Sequence, residues 1–201
     1  THLFYIPAPG LSLPEIPANP NLNQIASARD CIEDILWDFP FVTPADKANL
    51  IAMMLTQVIR PAIDGQIPAG IIDAPQPGSG KGLLTKVICL ISTGKQLSAI
   101  TAPTTPEEWP KQLTSLLVCG RTMIVFDNLE TCLDNPDLAA FLTMSEWSGR
   151  ILGQSKIVSI PNRAIVLVTG NNVKTGGDIA RRCYWSTINP NTSTPELRAG
   201  F

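Results

Sequence analysis

The sequence predicts an α/β fold in which a parallel five-stranded sheet is flanked by helices. Two observations support this prediction. Short apolar runs alternate with amphipathic segments of helical spacing along residues 69–189, and this alternation is typical of parallel sheets with helical crossovers. In addition, 44% of the 201 residues are hydrophobic and 16% are charged, a balance that favours one well-buried domain.

The five strands are predicted from short runs of apolar and β-branched residues. In chain order, these runs cover residues 69–74, 97–102, 122–128, 163–170 and 183–189. Two further short runs, residues 150–152 and 156–160, flank Gly153-Gln154-Ser155. These turn residues predict a β-hairpin inserted before the fourth strand.

Helices are predicted where apolar residues recur at helical spacing beside capping residues. The clearest signal precedes the first strand, where Thr43 and Pro44 start a helix and Pro61 ends it. The predicted helices cover residues 27–39, 43–61, 81–92, 105–120, 135–147 and 177–182.

These patterns divide the chain into four expected segments. Residues 1–26 contain five prolines and no regular period, which predicts an extended Pro-rich segment. Residues 27–64 are expected to form an N-terminal helical segment, residues 65–190 the α/β core and residues 191–201 a C-terminal tail.

The cysteines and the hydropathy pattern indicate where in the cell the protein is expected. The five cysteines are odd in number and include no C-x-x-C pair, which argues against a disulfide framework and against a zinc site. A reducing, cytoplasmic location is therefore expected. No uncharged apolar run reaches the length of about 18 residues that indicates a membrane helix, so we expect no membrane partner.

Charge is distributed unevenly along the chain, although the net charge is only −2. Residues 1–149 carry 8 Lys and Arg against 15 Asp and Glu, whereas residues 150–201 carry 7 against 2. The basic C-terminal part favours an anionic partner.

Residues 75–82, PQPGSGKG, lie between the first strand and the next helix and match most of the phosphate-loop pattern G-x-x-x-x-G-K-[ST]. Gly78 and Gly80 permit the positive φ angles that turn backbone N–H groups toward an anion, and Lys81 supplies a cation at the helix N-terminus. Pro75 and Gly82 replace the first glycine and the final hydroxyl, so a purely structural glycine turn is the alternative interpretation. The residues expected to bind the nucleotide are Pro77, Gly78, Ser79, Gly80, Lys81 and Gly82.

Three later features are placed to serve the same site. Asp127 ends the third strand, where an acid lies beside a phosphate loop in open α/β sheets; the alternative is a turn-forming aspartate. Asn171 ends the fourth strand and is placed to touch a γ-phosphate or to form an Asn turn. Arg181 and Arg182 follow on a short helix, either as solvated surface or as an arginine finger for a neighbouring subunit.

In this order, the loop, the Asp-ended strand, the hairpin, the Asn-ended strand and the arginines resemble the ATPase core of the AAA+ class of P-loop NTPases. The specific resemblance is to the superfamily III helicases of viruses, phages and plasmids. Within residues 65–190, PQPGSGKG is similar to the AAA+ loop GPPGTGKT and IVFDN to the Walker B segment. WSGRILGQSKIVSIPNRAIVLVTGN is similar to the hairpin that leads into the sensor asparagine. The set also resembles helicase-like modules attached to primase or Toprim domains in mobile elements.

The resemblance implies ATP and Mg²⁺ as cofactors and a ring of subunits, usually a hexamer, with ATP between them. It implies that Lys81 and its loop bind phosphates, that Asp127 holds Mg²⁺ and that Asn171 senses the γ-phosphate. It also assigns Arg181 or Arg182 to the site of the neighbouring subunit.

The same resemblance implies DNA as a partner, with single-stranded DNA favoured. Lys156, near the tip of the predicted hairpin, is the main candidate for contact with DNA phosphates, and Arg150 and Arg163 are weaker candidates. The alternative is that the lysine is simply solvated.

Two departures from the family pattern affect hydrolysis more than binding. Asn128 follows Asp127 where many of these ATPases have a second acid, and Glu130 is the nearest carboxylate. Gly82 lacks the hydroxyl that ligates Mg²⁺. We therefore expect either an ATP-driven DNA helicase or translocase from the replication protein of a mobile element, or an ATP-gated assembly protein with slow or no hydrolysis. A small-molecule kinase is disfavoured because a hairpin, and not an Arg-rich lid, follows the third strand.

Overall fold

The structure is a computed structural model that describes Gly10, residues 15–96 and residues 98–197. The chain divides into two compact units, Thr1–Asp38 and Phe39–Phe201. Most of the predicted Pro-rich segment, residues 1–9 and 11–14, and the end of the predicted tail, residues 198–201, lie outside the described residues.

The first unit contains one described helix, α1 (Leu22–Ile35). Asn21 and Gln24 cap it reciprocally: the Asn21 side chain accepts the Gln24 N–H at 3.0 Å, and the Gln24 side chain accepts the Asn21 N–H at 2.9 Å. This capping box starts the helix before Ser27, the residue predicted as its cap.

The second unit alternates helices and strands. Its helices are α2 (Pro44–Ile59), α3 (Lys81–Thr93), α4 (Glu108–Val118) and α5 (Pro136–Phe141), with 3-10 turns at Arg60–Ala62, Ala180–Arg182 and Pro195–Leu197. Its strands are β1 (Ala69–Ala74), β2 (Ile100–Thr101), β3 (Met123–Leu129), β4 (Glu146–Arg150), β5 (Ile157–Pro161), β6 (Ile165–Asn171) and β7 (Cys183–Thr187). Among the described residues, no helix is long and apolar enough to cross a membrane.

Five of the strands form one parallel sheet in the order β2-β3-β6-β1-β7. This confirms the predicted five-stranded parallel sheet. Because all strands run the same way, their carboxyl ends meet at one edge and their amino ends at the other. β1 lies between β6 and β7, so the loop that follows β1 sits next to the end of β6.

Helices cover both faces of the sheet. Ile71 of β1 belongs to the apolar core that includes Leu113 of α4 and Leu138 of α5. The preceding residue, Gly70, faces the other way, and a Cβ there would lie 2.9 Å from the sulfur of Met53 in α2. Because neighbouring strand residues point to opposite faces, α4 and α5 cover one face of the sheet and α2 covers the other, packed against α3.

β4 and β5 form a separate antiparallel hairpin, inserted before β6 as predicted, and it is anchored to α4. The buried Trp147 donates from Nε1 to Thr114 Oγ1 at 2.9 Å, and its ring meets that of Phe141 edge-on with centroids 5.3 Å apart. Gly149 packs so closely on Thr114 that a Cβ would lie 2.0 Å from Oγ1.

Besides the start of α1, two predicted elements have different boundaries in the structure. The helix expected over residues 135–147 ends at Phe141, and β4 begins at Glu146. The reason is that Trp147 and Gly149, two residues apart, both contact α4, which is a strand period and not a helical one. The strand expected at residues 97–102 is reduced to the two residues of β2, and Leu97 lies outside the described residues.

Candidate nucleotide-binding site

The loop between β1 and α3 has the shape of a phosphate cradle. Gly78 and Gly80 have φ angles of 74° and 99°, in the left-handed region that glycine adopts without strain. The buried Ser79 donates from Oγ to the carbonyl oxygen of Gln76 at 2.6 Å. The Ser79 side chain thus closes the loop, and Gly80 is the N-cap residue of α3.

Lys81, the first residue of α3, points back into this loop. Its Nζ donates to Asn171 Oδ1 at 2.6 Å and to the Gln76 carbonyl at 3.3 Å. Partial burial lowers the pKa of Lys81, whereas the negative charges of Asp73 and Asp127 act in the opposite direction. The structure therefore brings together the loop lysine and the asparagine at the end of β6.

Asp127 is held in place by the neighbouring strand. The buried Thr169 of β6 donates from Oγ1 to Asp127 Oδ1 and accepts the Asn128 N–H at 3.0 Å. The regular pairing of β3 with β6 breaks just after Phe126, and Asn128 adopts a positive φ of 54°. This irregularity leaves the Asp127 side chain exposed at the carboxyl edge of the sheet.

Glu130 lies close to the same edge but bonds to Asn128. The Asn128 Nδ2 donates to Glu130 Oε1 at 3.1 Å. Both side chains are exposed. Asn128 thus occupies the position of the second acid and also binds the carboxylate nearest to it.

Two residues of this cluster were not predicted. Asp73, near the end of β1, accepts the Val173 N–H on Oδ1 at 3.0 Å and influences the pKa of Lys81 more strongly than Asp127 does. Thr169 fixes Asp127 as described above. Both carried a signal in the sequence: Asp73 is the one charged residue of its strand, and Thr169 lies on the same strand face as Asn171, two residues away.

The side chains at this site fit a nucleotide with a bound metal ion, except that the hydroxyl expected at position 82 as a metal ligand is missing. The cradle, Lys81 and Asn171 would face the phosphates, and Asp127 offers a carboxylate for Mg²⁺. Among the described residues, no group of three His, Cys, Asp or Glu side chains converges on one point, so phosphate oxygens and water would complete the coordination. A Cβ added at Gly82 would meet nothing within 4 Å; the missing hydroxyl is therefore not excluded by crowding.

Arg181 and Arg182 lie at the other edge of the sheet. Their 3-10 turn directly precedes β7, whose first residue pairs with Ala69 at the start of β1. Both arginines bind Asp178: Arg181 Nε lies 2.5 Å from Oδ1 and Arg182 Nε 3.1 Å from Oδ2. These hydrogen bonds lower the pKa of Asp178 to about 2. Neither arginine is placed to reach the glycine loop of the same chain, which lies at the carboxyl edge.

The candidate DNA-binding residues separate into two groups. Arg150 ends β4 and Lys156 precedes β5, so both lie at the hairpin tip, where Arg150 Nε donates to the Gln154 carbonyl at 3.2 Å. A groove of 480 Å³ runs between this tip and the start of α4. Arg163 follows β5 at the opposite end of the hairpin. The structure therefore does not bring Arg163 to the tip.

The sheet order, the glycine loop and the inserted hairpin define the fold of this α/β domain, and two solved structures have a similar fold. The C-terminal region of NrS-1 in an apo form is similar, with a TM-score of 0.52 and 16% identity, over 86% of this chain and 40% of that chain. The JCV helicase, solved with a bound small molecule, is similar with a TM-score of 0.51 and 13% identity, over 77% of this chain and 43% of that one.

These neighbours confirm the predicted α/β fold, which this chain shares with the NrS-1 C-terminal region and the JCV helicase. The chain spans about two fifths of each solved chain. Neither the protein-family models nor the curated proteins include a match to the sequence.

Proposed function

We propose that this chain is an ATP-binding motor domain of a DNA helicase or translocase, which works as a ring-shaped oligomer in the replication of a mobile element. The observation that supports this proposal most strongly is the cluster at the carboxyl edge of the sheet. There Lys81, Asn171 and the Thr169-held Asp127 lie around a glycine loop of phosphate-binding shape. The name of one structural neighbour, the JCV helicase, adds support for a helicase-type motor.

In this proposal each residue of the cluster has a distinct task. The loop N–H groups and Lys81 bind the phosphates of ATP, and Asp127 holds Mg²⁺, whose chemistry is to neutralise charge on the phosphates. Asn171 contacts the γ-phosphate, and Glu130 is the candidate acid for orienting water. A neighbouring subunit supplies Arg181 or Arg182, while Lys156 and Arg150 contact single-stranded DNA. A cytoplasmic setting belongs to the proposal and agrees with the absence of a disulfide bond among the described residues, which include all five cysteines.

A direct test compares Lys81→Ala with Lys86→Ala. Both lysines lie on α3, but the Lys86 side chain is exposed and away from the loop, so it controls for the loss of one charge. We expect Lys81→Ala to abolish binding of a fluorescent ATP analogue and Lys86→Ala to retain it. Phosphate release is then measured with and without single-stranded DNA. Equal nucleotide binding by the two variants, or none by the natural chain, would refute the proposal.

The second candidate function is an ATP-gated assembly protein with slow or no hydrolysis. Gly82 and Asn128 favour it, because the first provides no metal-binding hydroxyl and the second stands where a base is expected. Light scattering and phosphate release on the same sample distinguish the two functions. ATP-driven assembly without DNA-stimulated phosphate release supports the assembly protein, and DNA-stimulated release supports the motor.

A further inference from the structure

Three arginines from distant parts of the sequence gather at the amino edge of the sheet, away from the phosphate loop. Arg60 precedes β1, Arg121 precedes β3 and Arg163 precedes β6. The strands that they precede are neighbours, in the order β3-β6-β1. Because the strands are parallel, their starts lie side by side. The order of the strands in the sheet brings these three residues, the arginine cluster, together, although they are far apart in the sequence.

Two members of the arginine cluster line a small cavity of 190 Å³. Arg121 and Arg163 lie there with no acidic residue among the lining, which is otherwise Leu117, Gly120, Thr122, Ile160, Pro161 and Ala164. In the part of the chain that the structure describes, neither arginine side chain makes an ion pair or a hydrogen bond. Their guanidinium groups are therefore available to an external anion.

Arg60, the third member of the arginine cluster, is bonded to the backbone of Arg163. Only 7% of its surface is exposed, and it donates from Nε to the Arg163 carbonyl at 3.2 Å and from an Nη to the Ile63 carbonyl at 3.0 Å. Burial lowers the pKa of Arg60, and the positive charge of Arg163 lowers it further. Like charges have thus been brought together, an arrangement that a bound anion would stabilise.

Hydrogen bonds fix the backbone on either side of Arg163 and at Arg121, the two arginines that line the cavity. The buried Asn162 donates from Nδ2 to the Phe141 carbonyl at 2.6 Å and accepts the Ala164 N–H at 3.3 Å. On the other side, the Arg121 N–H donates to the Leu116 carbonyl at 3.0 Å. The two guanidinium groups therefore extend from fixed positions, which reduces the entropy lost on binding.

We propose that Arg121 and Arg163 of the arginine cluster bind backbone phosphates of a nucleic-acid strand at a site separate from the hairpin tip and from the nucleotide loop. The guanidinium fork matches the oxygens of a phosphate group. The cavity is smaller than the roughly 300–1,000 Å³ of sites that enclose a whole small molecule, but it accommodates a phosphate group. This inference rests on the nucleic-acid part of the proposed function.

A nucleic-acid strand fits the geometry better than a free phosphate does. The hairpin carries Arg150 and Lys156 at its tip and adjoins Arg121 and Arg163 at its base. The five residues of β5 separate the two ends by about 17 Å. Positive charge at both ends of one hairpin suits a ligand with several phosphates along its length.

The test measures binding of a fluorescent oligothymidylate to the full chain by anisotropy across a range of salt concentrations. Arg121→Ala/Arg163→Ala is compared with Arg121→Lys/Arg163→Lys, which keeps the charge, and with Lys86→Ala/Lys95→Ala, which removes two exposed charges on and just after α3. We expect the first pair to weaken binding by about tenfold or more and to reduce the salt slope by about 1.4, since each phosphate contact on a single strand contributes about 0.7. The lysine pair should restore the slope but only part of the affinity, and the control pair should leave both unchanged.

Unchanged DNA binding by Arg121→Ala/Arg163→Ala would overturn the inference and leave the proposed motor function standing. If the natural chain binds the ATP analogue but no oligothymidylate, the inference fails, and the result supports the ATP-gated assembly protein over the DNA motor. A second arm titrates pyrophosphate into Lys81→Ala, in which the nucleotide loop is disabled. Arg121→Ala/Arg163→Ala is then introduced into this Lys81→Ala chain. Loss of pyrophosphate binding in that combined variant, together with unchanged DNA binding by Arg121→Ala/Arg163→Ala, would show a small-anion site and contradict the nucleic-acid assignment.

Discussion

Gly82 stands where P-loop ATPases carry a hydroxyl, and the space around it is open, because an added Cβ meets nothing within 4 Å. We expect Gly82→Ser to increase Mg²⁺-dependent phosphate release, because its hydroxyl supplies the missing metal ligand. Gly82→Ala is the matched control. It should raise the free energy of unfolding by up to about 1 kcal/mol, since Gly is a poor helix former, without changing the dependence on Mg²⁺. Equal Mg²⁺ titrations of phosphate release for the two variants would contradict this prediction.

Thr169 gives a second prediction at the level of single residues. Thr169→Val keeps the shape of the buried side chain but removes the hydroxyl that binds Asp127 and the Asn128 N–H. Leaving such groups unpaired should lower the free energy of unfolding by about 1–3 kcal/mol, and a loosened Asp127 should reduce phosphate release. Thr169→Ser retains the hydroxyl and should retain most of the activity. Urea unfolding and phosphate-release assays measure the two effects. A Val variant with natural activity would show that Asp127 needs no such support.

The sequence suggested candidate residues for the site more readily than it suggested the contacts between them. Lys81, Asp127 and Asn171 were predicted from their order, and the structure brings Lys81 and Asn171 into direct contact. Their separation of 90 positions gives no hint of that contact until β6 is known to lie beside β1. Asp73 and Thr169 were missed for the same reason, since Val173 and Asp127, which their side chains contact, are distant in the sequence.

At the level of elements, the hairpin depends on a close contact with α4. Gly149→Ala would place a Cβ 2.0 Å from Thr114 Oγ1, which no small rotation relieves because Trp147 is bonded to the same oxygen. We expect a loss of about 1–3 kcal/mol in the free energy of unfolding, as for other overpacked sites. Adding Thr114→Ala should return part of this loss, measured as a double-mutant cycle by urea unfolding. Additive effects of the two substitutions would rule out the proposed contact.

Boundaries of elements were harder to predict than their types. The apolar runs predicted all five sheet strands in their order along the chain. The start of α1 was not predicted: the helix begins at Leu22 because Asn21 and Gln24 form a capping box. Likewise β4 extends back to Glu146 because Trp147 and Gly149 are fixed by α4. In both cases a specific contact selected one of several starting points that the local pattern allowed.

At the scale of the whole molecule, the parallel sheet separates two sets of charged residues. The phosphate loop and Asp127 lie at the carboxyl edge, whereas Arg181 and Arg182 lie at the start of β7, at the amino edge. In the proposed ring, an arginine finger at this place would therefore serve the nucleotide of a neighbouring subunit. The two arginines also differ, since 73% of the Arg181 side chain is exposed and only 18% of the Arg182 side chain is. Arg181 is therefore the better candidate to reach across an interface.

A mixing experiment tests this arrangement. Lys81→Ala subunits cannot bind nucleotide but still present Arg181, and Arg181→Ala subunits have the opposite defect, so each variant alone should release little phosphate. In a ring with head-to-tail contacts, a random equal mixture should regenerate about a quarter of the active interfaces. The phosphate-release rate of the mixture should rise accordingly above that of either variant. Mixing Lys81→Ala with a Lys81→Ala/Arg181→Ala double variant is the control and should recover nothing. If the first mixture also stays inactive while both variants still assemble, Arg181 does not act on the nucleotide of a neighbouring subunit. A mixture of Lys81→Ala with Arg182→Ala then tests whether Arg182 acts there.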